Sequence, residues 1–208
     1  MTPGFHWTLR PSVKEDDPVL KAFPAELPLL VKQLLLQRGF TGGMETELFL
    51  DPRLSHLSDP FLMGEMRAAV DRIFRAVDEG ETVCIYGDYD VDGVTSVALL
   101  RAILMAYDLD PQYFIPVRSR EGYGLSEAGI KRCLCECADP PSLLITVDCG
   151  TSSVKEVDML NGLGIDVIIL DHHEAGPLGR PDAAAVVNAK IEENSPYTYL
   201  CSAGVVFK

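Results

Sequence analysis

Apolar positions along the chain change period part-way. Between Leu29 and Arg38 they form a dense helical pattern, with Pro24 and Pro28 at or before its start and Gly39 closing it. A loop carrying Gly42, Gly43 and Pro52 follows. From Phe61 to Asp78, the residues Leu62, Met63, Met66, Ala69, Val70, Ile73, Phe74 and Val77 recur at the spacing of an amphipathic helix, which Gly80 ends. Beyond that glycine the pattern turns to short apolar runs. Thr82–Tyr86, Gln112–Val117, Leu143–Val147, Asp166–Leu170 and Ala184–Val187 read as five strands. Helical segments separate the first four: Val94–Tyr107, Glu127–Cys137 with Ser126 as its N-cap, and Ser153–Leu163.

Strands alternating with helices predict βαβ units. The expected fold is therefore α/β, a mainly parallel five-stranded sheet with helices on both faces, preceded by a helical N-terminal region. The expected division is a helical region over residues 1–80 packing on the core and a sheet domain over 81–208. No internal repeat or low-complexity tract interrupts it. In parallel sheets ligands bind beyond the carboxyl ends of the strands. Three polar blocks stand at such ends: Asp88-Tyr89-Asp90-Val91-Asp92-Gly93, Val147-Asp148-Cys149-Gly150 and Asp171-His172-His173.

Composition narrows the reading. With 208 residues, 47% hydrophobic and 24% charged, the chain is ordinary globular material for one large or two small domains. No apolar run reaches the roughly 18 residues of a membrane span. The first residues, Met1 to Trp7, lack the basic and apolar segments of a signal peptide, so a cytoplasmic location is the default expectation. Six cysteines (Cys84, Cys133, Cys135, Cys137, Cys149 and Cys201) do not suggest a disulfide scaffold in a chain this long. Cys133, Cys135 and Cys137 alternate, a spacing unlike the paired CxxC of structural zinc, and read as thiols spread around a helix end. The formal net charge of −13 argues against broad, non-specific binding of nucleic acid by this segment. Bound cations would reverse the sign locally.

Each polar block has a structural explanation when taken alone. Asp90 and Asp92 could cap a loop, Asp148 could cap the next helix, and a lone histidine often serves structure. Together they would gather acids and imidazoles at one sheet edge, where they cannot stay ionised without a cation between them. Mixed carboxylate and imidazole donors suit manganese or magnesium rather than a thiolate zinc site. Two such ions activate a water and neutralise phosphoryl oxygens during in-line displacement. His172 and His173, being adjacent, point different ways, so one could ligate metal while the other faces substrate. Asp171 could orient an imidazole.

The blocks GDYDVDG, VDCG and DHH resemble the DHH phosphoesterase superfamily, and within it the RecJ family of single-strand-specific exonucleases. Further likeness lies in Ile115-Pro116-Val117-Arg118, Glu121-Gly122-Tyr123-Gly124-Leu125, Val186-Val187-Asn188 and Ala203–Lys208. Trp7, Arg38-Gly39 and Phe49-Leu50-Asp51-Pro52 also fit. The resemblance implies that residues 81–208 are a DHH catalytic domain. It implies that Asp90, Asp92, Asp148 and His172 are metal ligands in a two-metal site for Mn2+ or Mg2+, with Asp148 bridging. His173 would contact the scissile phosphate, Asp88 and Asp171 would act from behind the ligands, and Arg118 would meet the DNA backbone. The implied catalytic set is Asp90, Asp92, Asp148, His172 and His173.

The implied activity is 5′-to-3′ hydrolysis of single-stranded DNA to nucleoside 5′-monophosphates, in DNA repair and recombination. The implied partners are single-stranded DNA and a helicase or single-strand-binding protein, with no membrane. Two departures matter. The pyrophosphatase branch carries a histidine four residues before the position of Asp90; here it is Tyr86, which favours the nuclease branch. The superfamily supplies a further aspartate ligand, then a second domain, and RecJ proteins an OB-fold, all after the point where this chain stops. The expectation is therefore an N-terminal fragment truncated within its DHH domain, weakly active or inactive alone, its basic DNA-binding surface lying in sequence not present. Two rivals stay open: a DHH hydrolase of short oligonucleotides or cyclic dinucleotides, and a DHH scaffold without catalysis.

Overall fold

The computed structural model describes residues 8, 9 and 12–208. Trp7 and the rest of the first seven residues lie outside them. The chain divides into two compact units, Met1–Ser58 and Asp59–Lys208. The first holds helices α1 (Leu29–Gln37) and α2 (Met44–Leu50). Pro28 caps α1 as expected, and Gly39, at φ 93°, turns the chain out of it. The loop expected around Gly42 and Gly43 is short, because α2 starts directly after Gly43. Phe40 and Phe49 pack with ring centroids 4.5 Å apart.

The second unit begins earlier than the residue 81 expected for the sheet domain, because helix α3 (Met66–Glu79) packs against the sheet. The amphipathic stretch from Phe61 is not one helix. A 3-10 turn covers Pro60–Leu62, and Glu65 adopts a left-handed φ of 57° just before α3. After α3 come β1 (Val83–Tyr86), α4 (Val91–Ala106), β2 (Gln112–Phe114), α5 (Arg118–Glu121), α6 (Glu127–Glu136), β3 (Leu143–Val147), α7 (Val154–Gly162), β4 (Asp166–Leu170), β5 (Ala185–Val187) and α8 (Ser202–Phe207). Strand β2 stops three residues short of the expected Val117, since Pro116 has no N–H to offer a ladder and Val117 already leads into α5. Helix α4 starts three residues early, because the Asp90 carboxylate caps it.

The five strands form one parallel sheet in the order β2-β1-β3-β4-β5. Alternate strand residues point to opposite faces. Val83, Ile85, Leu143, Ile145, Val147, Ile168 and Leu170 meet α3, α4 and α8 on one side. Cys84, Tyr86, Leu144, Val167 and Ile169 meet α6 and α7 on the other. Both faces are thus covered, which is why the strands read as continuous apolar runs. Each fully buried leucine or isoleucine contributes about 1.5–3 kcal/mol relative to exposure. The strand order reverses direction at β1 and β3, so the crevice between their carboxyl ends is the switch point where ligands bind in such sheets.

A buried ionic anchor ties α3 to the opposite, amino-terminal edge of the sheet. Arg72, whose side chain is 7% exposed, grips Glu81 through both terminal nitrogens at 3.0 and 2.7 Å, and its Nε reaches Asp166 at 2.6 Å. Ser142 donates its hydroxyl to Glu81 as well. The Arg72 guanidinium holds the Glu81 carboxyl below its usual range. Stability from this pair is full above the ordinary carboxylate pKa and is lost as pH falls through the lowered one. Replacing Glu81→Gln should therefore cost about 3 kcal/mol, the low end for a broken buried pair because Asp166 remains. Urea denaturation at neutral pH should show it, and the gap to wild type should close in acid; an unchanged midpoint at neutral pH would refute the anchor.

Candidate functional site

All three polar blocks converge at the switch point. β1 ends at Tyr86, and Gly87 still donates to the Phe114 carbonyl at 3.0 Å. Asp88 then turns inward and is completely buried. Its Oδ1 accepts the Tyr89 N–H at 2.8 Å, and its Oδ2 has no partner. Burial pushes its carboxyl above the usual range. Asp90 caps α4, its Oδ1 accepting the N–H groups of Asp92 at 2.9 Å and Gly93 at 3.0 Å. Those N–H groups, that of Gly93 foremost, hold the Asp90 carboxyl low. Position 93 must be glycine: a Cβ there would collide with the Asp88 carbonyl oxygen.

Asp148 follows β3 with a left-handed φ of 61°, unusual for a non-glycine residue. Its N–H donates to the Leu170 carbonyl at 3.0 Å, which fixes the turn. The residue is 1% exposed, and its carboxylate faces the first block. Burial, with the charges of Asp92 and Asp90 adding to it, pushes this carboxyl up to about 7. Its Oδ1 accepts the Ser202 hydroxyl at 2.9 Å and lies 3.4 Å from His172 Nε2. The same His172 nitrogen is 3.6 Å from Asp92 Oδ2. Asp92 in turn accepts the Ser202 and Ala203 N–H groups at 2.8 and 2.9 Å, so it caps α8 while facing His172.

Asp171, at the end of β4, is fully buried and organises both histidines. Its Oδ1 accepts the N–H of His172 at 2.7 Å, the N–H of His173 at 3.2 Å and His173 Nδ1 at 2.7 Å. Its Oδ2 accepts the Thr151 N–H at 3.0 Å. Burial would raise this carboxyl, but the hydrogen bonds from His173 and Thr151 prevail and hold it at about 2. The Asp171 bond in return raises the His173 pKa. His173 Nε2 lies 2.9 Å from the Tyr123 hydroxyl, and Asn188 Nδ2 bridges Thr151 Oγ1 and the His173 carbonyl at 2.8 Å each.

Two overlapping donor groups result. Atoms of Asp88, Asp90 and Asp148 lie within 4.8 Å of one another, as do atoms of Asp148, His172 and His173. Asp148 belongs to both. Asp88, expected behind the ligands, joins the first group with a free oxygen. Arg118, exposed at the start of α5, stands with its guanidinium carbon 5.6 Å from the Tyr89 ring. Sequence reasoning assigned no role to Tyr123, Thr151, Asn188 or Ser202. Tyr123 and Asn188 stand in motifs that carry the family resemblance, whereas Thr151 lies between β3 and α7 and Ser202 opens α8, with only those positions to mark them.

Residues 82–208 match the sequence profile of the DHH family, N-terminal domain. The chain belongs to the DHH family. It is 39% identical over 198 residues to the single-stranded-DNA-specific exonuclease RecJ of Bacillus subtilis, covering 94% of this chain and 25% of that protein. It is 34% identical to the RecJ of Escherichia coli, over 88% of this chain and 31% of the relative. The chain therefore spans about a quarter to a third of the length of these curated relatives. A crystal structure of exonuclease RecJ bound to manganese superposes with a TM-score of 0.64 at 31% identity, covering 73% of this chain and 37% of that one. RecJ of Thermus thermophilus in complex with Mn2+ gives 0.66 at 28% identity, over 88% and 24%. The α/β sheet is thus the DHH-domain fold of these proteins.

The Asp171–His173 bond stabilises the DHH domain below the ordinary histidine pKa, and the contribution is lost as pH rises through the raised one. In chelator-treated protein, Asp171→Asn should lower the His173 pKa in an NMR titration. An unchanged His173 curve would contradict the bond.

Proposed function

We propose that this DHH domain is the metal-holding part of a 5′-to-3′ exonuclease that hydrolyses single-stranded DNA to nucleoside 5′-monophosphates. The observation that carries the proposal is the position of Asp148, buried and shared between two donor groups at the switch point. The donor set fits hard divalent cations: oxygens and imidazole, with no thiol in either group. The partnerless Asp88 Oδ2 and the raised Asp148 carboxyl are both groups that a cation would satisfy. RecJ relatives bound to manganese support Mn2+, and Mg2+ is the alternative of the same chemistry.

Asp90, Asp92, Asp148 and His172 would hold the ions, with Asp148 between them and the free oxygen of Asp88 adjoining. When bound, a pair of such ions supplies charge neutralisation for the phosphoryl oxygens and activation of the attacking water. The protein's own part is positioning. The α4 cap fixes Asp90, the α8 N-terminus fixes Asp92, and the left-handed turn aims Asp148 inward. Asp171 holds Nδ1 of His173, which leaves Nε2 directed to the open side beside Tyr123, where a phosphate oxygen could be met. Arg118 stands on the same side for the DNA backbone. We also place the protein in the cytoplasm, working in repair and recombination beside a helicase or single-strand-binding protein. Among the described residues no helix is long and apolar enough to cross a membrane.

Two measurements test this reading. Calorimetric titration should show saturable Mn2+ binding that Asp148→Asn weakens by more than about 100-fold, given the ten- to hundred-fold cost of disturbing even outer ligand partners. The variant should still fold, since it removes a buried acid that is costly to ionise. With 5′-labelled substrates, the expected result is slow, Mn2+-dependent release of mononucleotides from single strands and none from duplex. Preference for dinucleotides or cyclic dinucleotides would make it a different DHH hydrolase; absence of saturable metal binding would make it a scaffold.

A further inference from the structure

The face of the sheet opposite α4 carries a second ligand cluster, unrelated to the acidic one. Cys84 points down from the middle of β1. Cys133 lies on the face of α6 that packs on it, and Cys137, the residue that ends that helix, packs against the same cluster. Cys84 Sγ lies 3.5 Å from Cys133 Sγ and 3.8 Å from Cys137 Sγ, and all three sulfurs lie within 4.8 Å of one another. Cys135, between them in sequence, is exposed on another face. The alternating triplet seen in sequence is therefore not the spatial one: the strand replaces its middle member.

These separations match a ligand triangle. With metal–sulfur bonds of about 2.3 Å, sulfurs stand about 3.8 Å apart in a tetrahedral site and about 4.0 Å apart in a trigonal one. Such spacing needs almost no rearrangement. A disulfide requires the sulfurs to close to about 2.05 Å. Cys84 and Cys133 are buried among apolar side chains, whereas Cys137 is half-exposed, so the cluster has one open side. The hydrogen bond between the Cys84 and Cys133 sulfurs favours the ionised form of Cys133 against its burial. No carboxylate or imidazole joins the three sulfurs among the described residues.

We propose that Cys84, Cys133 and Cys137 form a trithiolate site for a thiophilic closed-shell cation, zinc(II) or copper(I), with the open side at Cys137 admitting the ion. All-sulfur donors select such ions over Mn2+ or Mg2+. Each thiol that ligates releases its proton to solvent. The ion would bind β1, which leads into Asp88 and Asp90, to α6, which follows the segment carrying Tyr123. Occupancy would raise thermal stability through mass action.

Cadmium is the probe, because its thiolate complexes absorb in the ultraviolet. The whole chain, reduced and held in excess Mg2+, should bind one equivalent with a sulfur-to-metal band. Cys135→Ser should leave the band unchanged and Cys137→Ser should abolish it, with saturable Mn2+ binding and circular dichroism intact in both. Displacement by zinc(II) or by copper(I) then tells which ion the site prefers. Should Cys137→Ser misfold, alkylation of the wild type decides: cadmium should slow modification of Cys137 and spare Cys135. The proposal is overturned if the reduced chain shows no band, if the band survives Cys137→Ser in a folded protein, or if cadmium protects Cys135 and Cys137 alike.

Discussion

Burial of the Asp148 carboxylate against other acids is the constraint around which the sheet edge is arranged. The carboxyl of a residue 1% exposed, beside Asp90 and Asp92, is costly to ionise, and its pKa of about 7 records that cost. A polypeptide keeps such a group only where surrounding structure holds it. Here the left-handed turn after β3, the Leu170 carbonyl behind it and the Ser202 hydroxyl beside it do so together. The neighbouring acids are neutralised by other means. Asp90 and Asp92 lean on helix N-termini, and Asp171 collects N–H groups and an imidazole. Among these acids, Asp88 is left with an unpaired buried oxygen.

The helices therefore serve the site as much as the core. α4 and α8 present their N-terminal N–H groups to Asp90 and Asp92, so the same bonds that start each helix orient a donor. α8 contributes at a distance of more than a hundred residues, and its Ser202 also reaches Asp148. Shifting α8 would loosen two carboxylates at once. On the far face, the thiols of β1 and α6 add a soft donor set to a domain whose sheet edge is hard, and the sheet keeps the two chemistries apart.

Much of this was legible in the chain. The five apolar runs, the glycines and prolines between them and the alternation with helical segments dictated a parallel sheet. Polar blocks directly after β1, β3 and β4 dictated which side chains meet, because parallel strands end at the same edge. The errors were local. Pro116 shortened β2, Glu65 and the 3-10 turn shortened α3, and the Asp90 cap lengthened α4; each depends on a single backbone conformation that periodicity does not encode.

What the sequence determined by itself was the sheet, its ligand-bearing edge and the set of acids and imidazoles placed there, since strand period and strand direction are local properties. Tertiary structure alone decided how those groups share their bonds: that Asp92 caps α8, that Asp88 keeps a free oxygen, that Tyr123 meets His173 and that Cys84 displaces Cys135 from the thiol cluster. Such pairings join residues tens of positions apart, and their geometry is fixed only when both faces of the sheet are packed.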